Sequence, residues 1–563
     1  MTQTEGRRWW ALGALSLSVL VVALDLFVLS LALPTLSADL HASSSDLQWF
    51  VVAYSLVLAA VLLPAGMLGD RIGRKRILIG ALALFGVASL ACAYSTSAGE
   101  LIAARAVLGV AAAVILPMSL AVLPVMFSAQ ERPRAIAAIG GATFLGYPIG
   151  PILGGWLLDH FWWGSVFLIN VPVVILAIVA VTMLMPESRG EGTTRLDVTG
   201  IAISSAGLAL LTYGLIKAGN NGWGDGVAVG TMVAGVLALG GFIWWERRAS
   251  RRVPGTDGAL HKQTLPLIDL KLFGSAGFTW GTLLSTLVSF ALFGLVFAMP
   301  QYFLNVRGLN SFGAGIHMLP MIGGLVLGLL LGQRLQSPRK ASKDTSAPSL
   351  PAQPSQPSQP ARPSLPGQPL VSARFLIGIG FAIMGIALAV GTRTSAATSS
   401  GFAATWFAIT GFGLGMSLPT ALNIALGALS PARSGSGSAV ITAMRQVGGT
   451  IGVAVLGTVL ATTYRARLHL NGLPAAAADA IRKSVAGGVA TAKASGSSAL
   501  LDMVRTAYVH GLDVMLWVCA GIAIASAVLA LVFLPSRATE QPENDAGADT
   551  SDTAPDSVVT SIG

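Results

Sequence analysis

The stretch Gly66–Arg76, GMLGDRIGRKR, joins two apolar runs of the chain at about 47–69 and 76–95. Its inner glycines permit a tight turn and a close approach of two helices. Its carboxylate stands next to two arginines, so the three can form a charge cluster. A basic turn that only fixes the membrane topology would carry similar charges. The charges alone therefore predict no more than a short loop on one face of a membrane. The residues of interest are Gly66, Gly69, Asp70, Arg71, Gly73 and Arg74.

Apolar runs of this kind continue along the whole chain. Of its 563 residues 53% are hydrophobic and only 11% are charged, and the mean hydropathy is +0.72. A soluble domain carries about 25% charge, so the composition predicts a polytopic, all-helical membrane protein. Fourteen runs are long enough to cross a bilayer, numbered here spans 1 to 14: 10–36, 47–69, 76–95, 100–126, 134–158, 165–186, 198–217, 226–246, 272–304, 312–335, 372–391, 401–428, 436–463 and 510–534.

The distribution of charge predicts the orientation of these spans. The net charge of +10 is spread over alternate loops, which favours a topological origin over nucleic-acid binding. Loops on the side of the N-terminus are rich in arginine and lysine, whereas the opposite short loops carry only Lys217, Arg307 and Arg393. This bias predicts both termini in the cytoplasm. The segment 464–509 is an exception, because it places six basic residues outside.

Three segments lie outside the expected core. Residues 337–370 are rich in proline and predict an extended or disordered cytoplasmic insert. The acidic tail 536–563 is expected to be disordered. The alanine-rich extracellular loop 464–509 can hold a helix or a hairpin. The two cysteines, Cys92 and Cys519, fall within apolar runs and predict no disulfide framework.

Asp25 is the single charge in the run 10–36 of span 1. An ionised carboxylate near the midplane of a bilayer costs at least roughly 2.5–3.5 kcal/mol. That cost falls when the group binds a proton, because burial raises the pKa of a carboxyl group. Asp25 is therefore a candidate proton carrier, and it is the one acid that we expect in the spanning core.

Span 4 carries an arginine about one turn from its start. On a helix, Arg105 shares a face with Gly109 and Ala112. The alternative is a side chain that extends to the nearby interface, as arginines near helix ends do.

Span 5 has glycines at every fourth position, which places them on one face and permits close helix packing. Its prolines each remove a hydrogen bond and are expected to kink the helix. The pattern consists of Gly146, Pro148, Gly150, Pro151, Gly154 and Gly155.

These stretches resemble the major facilitator superfamily over nearly the whole chain. Gly66–Arg76 resembles its inter-helix loop signature, and the pattern in span 5 resembles that of its drug/proton antiporters. The stretch 24–34, with residues 161–172 and 445–449, resembles the fourteen-span antiporters of the multidrug, quaternary-ammonium and methyl-viologen type. The sequence departs from that pattern at Phe27, Ser30 and Leu108, where threonine, asparagine and glutamine are common.

The resemblance implies a facilitator fold of 6+2+6 helices. Two six-helix bundles, 1–190 and 251–535, would be joined by two additional spans in 191–250. A decayed second copy of the loop, at 332–335, is expected where the insert begins. The loop Gly66–Arg76 would serve as a cytoplasmic gate between the halves, and Asp25 and Arg105 would couple transport to protons.

The implied function is proton-coupled export of amphipathic toxic compounds, such as dyes, quaternary ammonium compounds and antibiotics, across the cytoplasmic membrane. The proton motive force would replace any cofactor, and the expected partners are lipophilic small molecules, protons and the bilayer, with no nucleic acid and a monomeric carrier. A nutrient importer and a non-transporting receptor are the alternatives. An enzyme is not expected, because no metal cluster, nucleophile elbow or phosphate loop appears in the sequence.

Residues for a substrate cavity are less clearly marked. Aromatic, methionine and basic side chains in several spans can line an apolar cavity, although packing against helices or lipid is the alternative for each. Span 10 offers no additional acid near its proline, which argues against a dedicated site for dications. The candidates are Trp49, Phe290, Phe293, His317, Trp406, Met416, Met444 and Arg445.

Overall fold

The protein is described from a computed structural model that places residues 2–128, 130–189, 197–250, 268–336, 371–429 and 434–534. Fourteen helices in these ranges are long and apolar enough to cross a membrane, which confirms the predicted fold class. Their bounds are Thr2–Asp39, Ser44–Ile72, Arg74–Ala93, Ala98–Ala121 with a short Leu123–Met126, Arg132–His160, Ser165–Leu168 with Asn170–Leu184, Val198–Asn221, Gly226–Ser250, Ala276–Gln301, Ser311–Gln336, Ala373–Gly391, Ser400–Gly427, Ser434–Ala466 and Ser498–Phe533.

The helices form two bundles, spans 1–6 and spans 9–14, with spans 7 and 8 packed together beside them. Span 7 contacts span 2 of the first bundle and span 13 of the second. The Thr458 hydroxyl of span 13 donates a hydrogen bond of 2.9 Å to the carbonyl oxygen of Leu215 in span 7. Span 8 is largely exposed along its apolar length, as expected for a helix that faces lipid.

The face on which span 1 begins and span 14 ends is called here the near face, and the opposite face is the far face. A far-face hairpin of two helices, Ala475–Lys483 and Val485–Ala494, joins spans 13 and 14. The loop between those spans covers 467–497, which is narrower than the predicted 464–509. The difference arises because residues 498–509 continue the helix of span 14.

Two of the predicted segments, the insert 337–370 and the tail 536–563, lie outside the described residues. The short connection between spans 2 and 3 is a single glycine, Gly73, with a φ of 120°. A side chain is strained in that backbone conformation, so glycine is required for the tight turn that the sequence predicts.

The two bundles hold each other on the far face. The carboxylate of Asp159, at the end of span 5, accepts hydrogen bonds from Asn310 Nδ2 at 2.6 Å and from the backbone N–H groups of Ser311 and Phe312 at 2.9 and 3.0 Å. It therefore caps the first turn of span 10 in the other bundle. A second contact on this side joins the Ser37 and Ser484 hydroxyls at 2.8 Å.

Candidate functional site

Asp25 and Arg105 form a buried ion pair in the first bundle. Arg105 Nη1 donates to Asp25 Oδ2, and the two side chains are 0% and 1% exposed. Arg105 Nε also donates to the carbonyl oxygen of Phe50 at 2.9 Å. The guanidinium lies over the Tyr54 ring, 4.5 Å from its centroid. This complete burial excludes the alternative in which Arg105 extends to the interface.

The pair retains unused hydrogen-bonding capacity. Arg105 Nη2 and the Tyr54 hydroxyl are buried and have no hydrogen-bond partner among the described protein atoms. Carboxylate and guanidinium neutralise each other, and removal of either partner would leave a buried charge uncompensated. A change in the protonation of Asp25 would therefore alter the main contact that holds Arg105 in place.

The glycine face of span 5 packs directly on the helix that carries Asp25. A Cβ atom added at Gly146 would lie 2.8 Å from the Cβ of Ala23, and one added at Gly150 would lie 2.8 Å from the Cβ of Phe27. Gly154 repeats this close approach one turn farther along. Spans 1 and 5 can meet at this distance only because these positions lack side chains.

The last part of the span 5 pattern contacts the other bundle. A Cβ atom added at Gly155 would lie 2.6 Å from the carbonyl oxygen of Ser311 in span 10. Pro151 packs against Gly315 of the same helix. Pro148 and Pro151 lie within one continuous helix, which begins at Arg132 and ends at His160. Span 5 thus connects the Asp25 region with the far-face contact.

The charged loop after span 2 forms a compact cluster on the near face. Asp70 pairs with Arg74 at 2.8 Å, and Arg74 Nη1 donates to the carbonyl oxygen of Ala121 at 2.9 Å. The backbone N–H of Arg74 donates to Ser188 at 2.9 Å. Both acceptors belong to the first bundle, so these contacts do not connect the two halves in this conformation. The gate role of the loop stays a prediction.

The remaining loop residues differ in their surroundings. Gly69 packs against the side chain of Met118 in span 4, which explains a glycine at that position. Gly66 has no neighbouring atom within 4 Å of an added Cβ, and Arg71 is exposed.

Arg445 is a cavity candidate on span 13 that contacts span 9 of the same bundle. Its Nε atom donates to the Ser289 hydroxyl at 3.3 Å. Tyr147 belongs to span 5 of the other bundle. The Tyr147 ring packs 4.9 Å from Phe27 and 5.7 Å from Phe144, measured between ring centroids. This aromatic cluster therefore lies on spans 1 and 5, near Asp25.

Other cavity candidates pack within single bundles. Trp406 is 1% exposed and its ring lies against Gly391 of span 11. Met416 is 4% exposed and contacts Gly380. The placement of these two side chains favours the packing alternative that the sequence analysis left open.

The other candidates are dispersed as well. The Trp49 ring lies 6.4 Å from that of Tyr213 in span 7. His317 Nδ1 is 2.7 Å from the carbonyl oxygen of Gly313, and its ring is 5.4 Å from that of Phe303. Phe290 and Phe293 lie along the tightly packed contact with the glycines of span 13, and Met444 is half-buried beside Arg445. The eight candidates do not form one cluster.

Several residues of this region were missed by the sequence analysis. Tyr54 and Ser289 have no distinctive sequence context, whereas Tyr147 could have been noticed within the span 5 pattern. The expectation that Asp25 is the one acid of the spanning core was wrong. Glu246 is fully buried in span 8, near Asp197, whose carboxylate accepts a 2.8 Å hydrogen bond from the indole of Trp245.

Comparisons with known proteins identify the fold family. A family model described as Major Facilitator Superfamily matches residues 15–342. The chain belongs to the Major Facilitator Superfamily. It is 30% identical to a tetracenomycin C resistance and export protein of Streptomyces glaucescens, over 94% of this chain and 92% of that protein. It is 31% identical to the multidrug efflux pump LfrA of Mycolicibacterium smegmatis, over 94% and 96% of the two chains.

Solved structures show the same fold at low sequence identity. A bacterial homolog of the human lysosomal transporter Spinster, in an inward-facing conformation, matches with a TM-score of 0.63 at 16% identity, over 95% of this chain and 99% of that one. A D-xylose–proton symporter matches with a TM-score of 0.56 at 13% identity, over 94% and 98%. This facilitator is therefore a membrane transporter by family, with fourteen candidate spans.

Proposed function

We propose that this facilitator exports amphipathic toxic compounds across the cytoplasmic membrane in exchange for protons. The near face would be cytoplasmic, with both termini inside, as the basic loops of that face favour. Relatives of about the same length include a tetracenomycin C resistance and export protein and a multidrug efflux pump. The observation that carries the proton-coupled part is the sealed pair of Asp25 and Arg105.

The proposed cycle begins in the conformation described here. Asp25 is ionised and paired with Arg105 while the far face is held closed by Asp159. A substrate enters the space between the bundles from the cytoplasm or the inner leaflet. The carrier then opens to the far face and releases the substrate, and Asp25 binds a proton. The neutral carboxyl no longer pairs with the guanidinium, and the carrier returns. Asp25 then releases the proton to the cytoplasm and pairs with Arg105 again, which closes the cycle.

Burial of the pair provides the coupling. Because both side chains are almost fully enclosed, Asp25 cannot exchange a proton with either face without a rearrangement of the spans around it. Each charge that crosses the membrane adds about 2.3 kcal/mol per 100 mV to the step that moves it. A proton entering from the far face would therefore drive the return step.

The remaining features of the proposal concern partners. The proton motive force supplies the energy, so no cofactor is needed. The carrier acts as a monomer in the bilayer, its substrates are lipophilic small molecules, and nucleic acid is not a partner. The glycine pattern of span 5 supports export, because it resembles that of drug/proton antiporters.

The test of the proposal is a panel of toxic compounds on a host that lacks its own efflux pumps, with and without this facilitator. We expect raised inhibitory concentrations for some compounds, and uptake of the same compounds into everted vesicles that stops when nigericin collapses the pH gradient. Accumulation of a compound in intact cells would indicate import instead. Unchanged inhibitory concentrations across the panel would contradict the proposal.

A further inference from the structure

We infer that spans 7 and 8 move with the second bundle during transport, and that Arg465 is the positioning residue that fastens them to it. The inference rests on the proposed transport cycle, in which the two bundles separate on the far face. It starts from the contacts that the two additional spans make on either side.

Spans 7 and 8 form one unit. A Cβ atom added at Gly235 of span 8 would lie 2.5 Å from the backbone nitrogen of Leu211 in span 7. At the near face, the Trp245 indole of span 8 donates a hydrogen bond of 2.8 Å to Asp197, whose carboxylate also caps the first turn of span 7. Glycine contacts of this kind hold two membrane helices together. We therefore expect the two spans to move as a pair.

The far half of span 7 packs closely on span 13 of the second bundle. The Thr458 hydroxyl of span 13 donates to the carbonyl oxygen of Leu215 at 2.9 Å. One turn farther along span 7, a Cβ atom added at Gly219 would lie 2.9 Å from the same hydroxyl oxygen. The lack of a side chain at Gly219 thus permits the two helices to approach each other closely.

Arg465 of span 13 connects the end of span 7 to the second bundle. Its Nη1 atom donates to the carbonyl oxygens of Gly219 and Asn220 at 2.6 and 3.1 Å, and its Nη2 atom donates to Asn220 Oδ1 at 2.7 Å. The last carbonyl groups of a helix have no partners within that helix. A guanidinium satisfies them with charge-assisted hydrogen bonds and also meets the negative end of the helix dipole.

The same side chain holds the far-face hairpin. Arg465 Nε donates to the carbonyl oxygen of Arg482 at 3.2 Å, and the neighbouring Tyr464 hydroxyl donates to the carbonyl oxygen of Ile481 at 2.9 Å. Span 7, span 13 and the hairpin therefore meet at one guanidinium. This role accounts for a basic residue on the face where short loops are otherwise poor in lysine and arginine.

The contact of span 7 with the first bundle is of a different kind. Span 7 packs on span 2, where the Tyr213 ring lies 6.4 Å from the Trp49 ring. Among the described residues, the hydrogen bonds that link span 7 to either bundle go to span 13. Aromatic rings can separate without leaving a polar group unsatisfied, whereas separation from Arg465 would leave several. The boundary that opens in the cycle is therefore expected between spans 7 and 2.

The test measures distances between spin labels on the far face, by double electron–electron resonance on the protein in nanodiscs. The labels are attached in pairs through Gly99→Cys in the first bundle, Gly226→Cys in span 8 and Gly401→Cys in the second bundle. An added Cβ has no neighbour within 4 Å at these three positions, and the native cysteines are buried. Spectra are recorded at acidic and at mildly alkaline pH.

We expect the distance between positions 226 and 401 to stay within about 2 Å under both conditions, whereas the distances from position 99 to the other two change by about 5 Å or more. Arg465→Gln should broaden the distribution of distances between 226 and 401 about twofold, and Arg465→Lys, which keeps the charge, should broaden it less. The matched control is Arg467→Gln, which removes one positive charge from an exposed position two residues farther along. That variant should keep the wild-type width.

The inference is overturned if the distance between positions 226 and 401 changes as much as that between 226 and 99. An unchanged width in a monodisperse Arg465→Gln sample would overturn it as well. A constant distance between positions 99 and 401 under both conditions, together with broadening by Arg465→Gln, would contradict the proposed transport cycle and still support the fastening by Arg465.

Discussion

Two guanidinium groups, Arg105 in the first bundle and Arg445 in the second, lie between spans, and their surroundings differ. Arg105 has a carboxylate partner and is 0% exposed, whereas Arg445 has a hydroxyl partner and is partly exposed. The same chemical group is therefore sealed in one half and partly exposed in the other. In the proposed function, the sealed group of the first bundle serves proton coupling.

The largest effect is expected when one partner of the sealed pair is removed and the other is kept. Arg105→Gln leaves the carboxylate of Asp25 buried without a partner, which costs about 3–5 kcal/mol for a charged group. We expect at least a hundredfold loss of proton-driven efflux and a lower unfolding temperature of the purified protein. The double variant with Asp25→Asn removes both charges and should regain much of the unfolding temperature without regaining efflux. Equal unfolding temperatures for single and double variants would show that the pair is not coupled.

A smaller effect is expected from moving the helix that carries Asp25. Gly150→Ala places a methyl group 2.8 Å from the Cβ of Phe27, and overpacking of this kind costs about 1–3 kcal/mol. Proton-driven efflux should fall about tenfold, measured in vesicles at matched protein levels. The control is Gly141→Ala in the same helix, where an added Cβ has no neighbour within 4 Å. If the two variants behave alike, the glycine face does not position Asp25.

The first and second bundles also differ in how well the sequence predicts them. Asp25 was recognisable because a lone carboxylate in an apolar run is costly, and the period of four in span 5 predicted its packing face. Its pairing with Arg105 depends on how spans 1 and 4 cross, which no local pattern in either span encodes. Trp406 illustrates the converse limit, because apolar composition cannot distinguish a cavity from a packed helix contact.

The second bundle was predicted less well for the same physical reason. Fourteen spans follow from length and hydropathy alone, and all fourteen are present. Whether a carboxylate lies close to Arg445 depends instead on how the spans are arranged in space. Sequence showed that span 10 lacks an acid but could not show that Ser289 is the hydrogen-bond partner of the guanidinium.

The smallest effect is expected at the contact that holds the two halves together. Asp159→Asn removes the negative charge at the start of span 10, a contribution of about 0.3–1 kcal/mol. The population open to the far face should rise about two- to fivefold, measured by labelling of a cysteine introduced beside Asn310.

A matched control for that change is Asp225→Asn. Asp225 also lies on the far face, where hydrogen bonds from Asn221 and from the backbone of Ala228 hold its pKa below the usual value. It connects spans 7 and 8 and not the two bundles, so labelling should not change. An equal rise in both variants would remove the argument that Asp159 holds the bundles closed.

The central claim, that Asp25 carries the coupled proton, is tested most directly by Asp25→Asn in proteoliposomes loaded with a substrate from the toxic-compound panel. Asparagine keeps the size of the side chain and cannot exchange a proton. The account predicts that exchange of labelled for unlabelled substrate continues at a measurable rate, while transport driven by an imposed pH gradient is lost. Full gradient-driven transport by the Asp25→Asn variant would contradict the account.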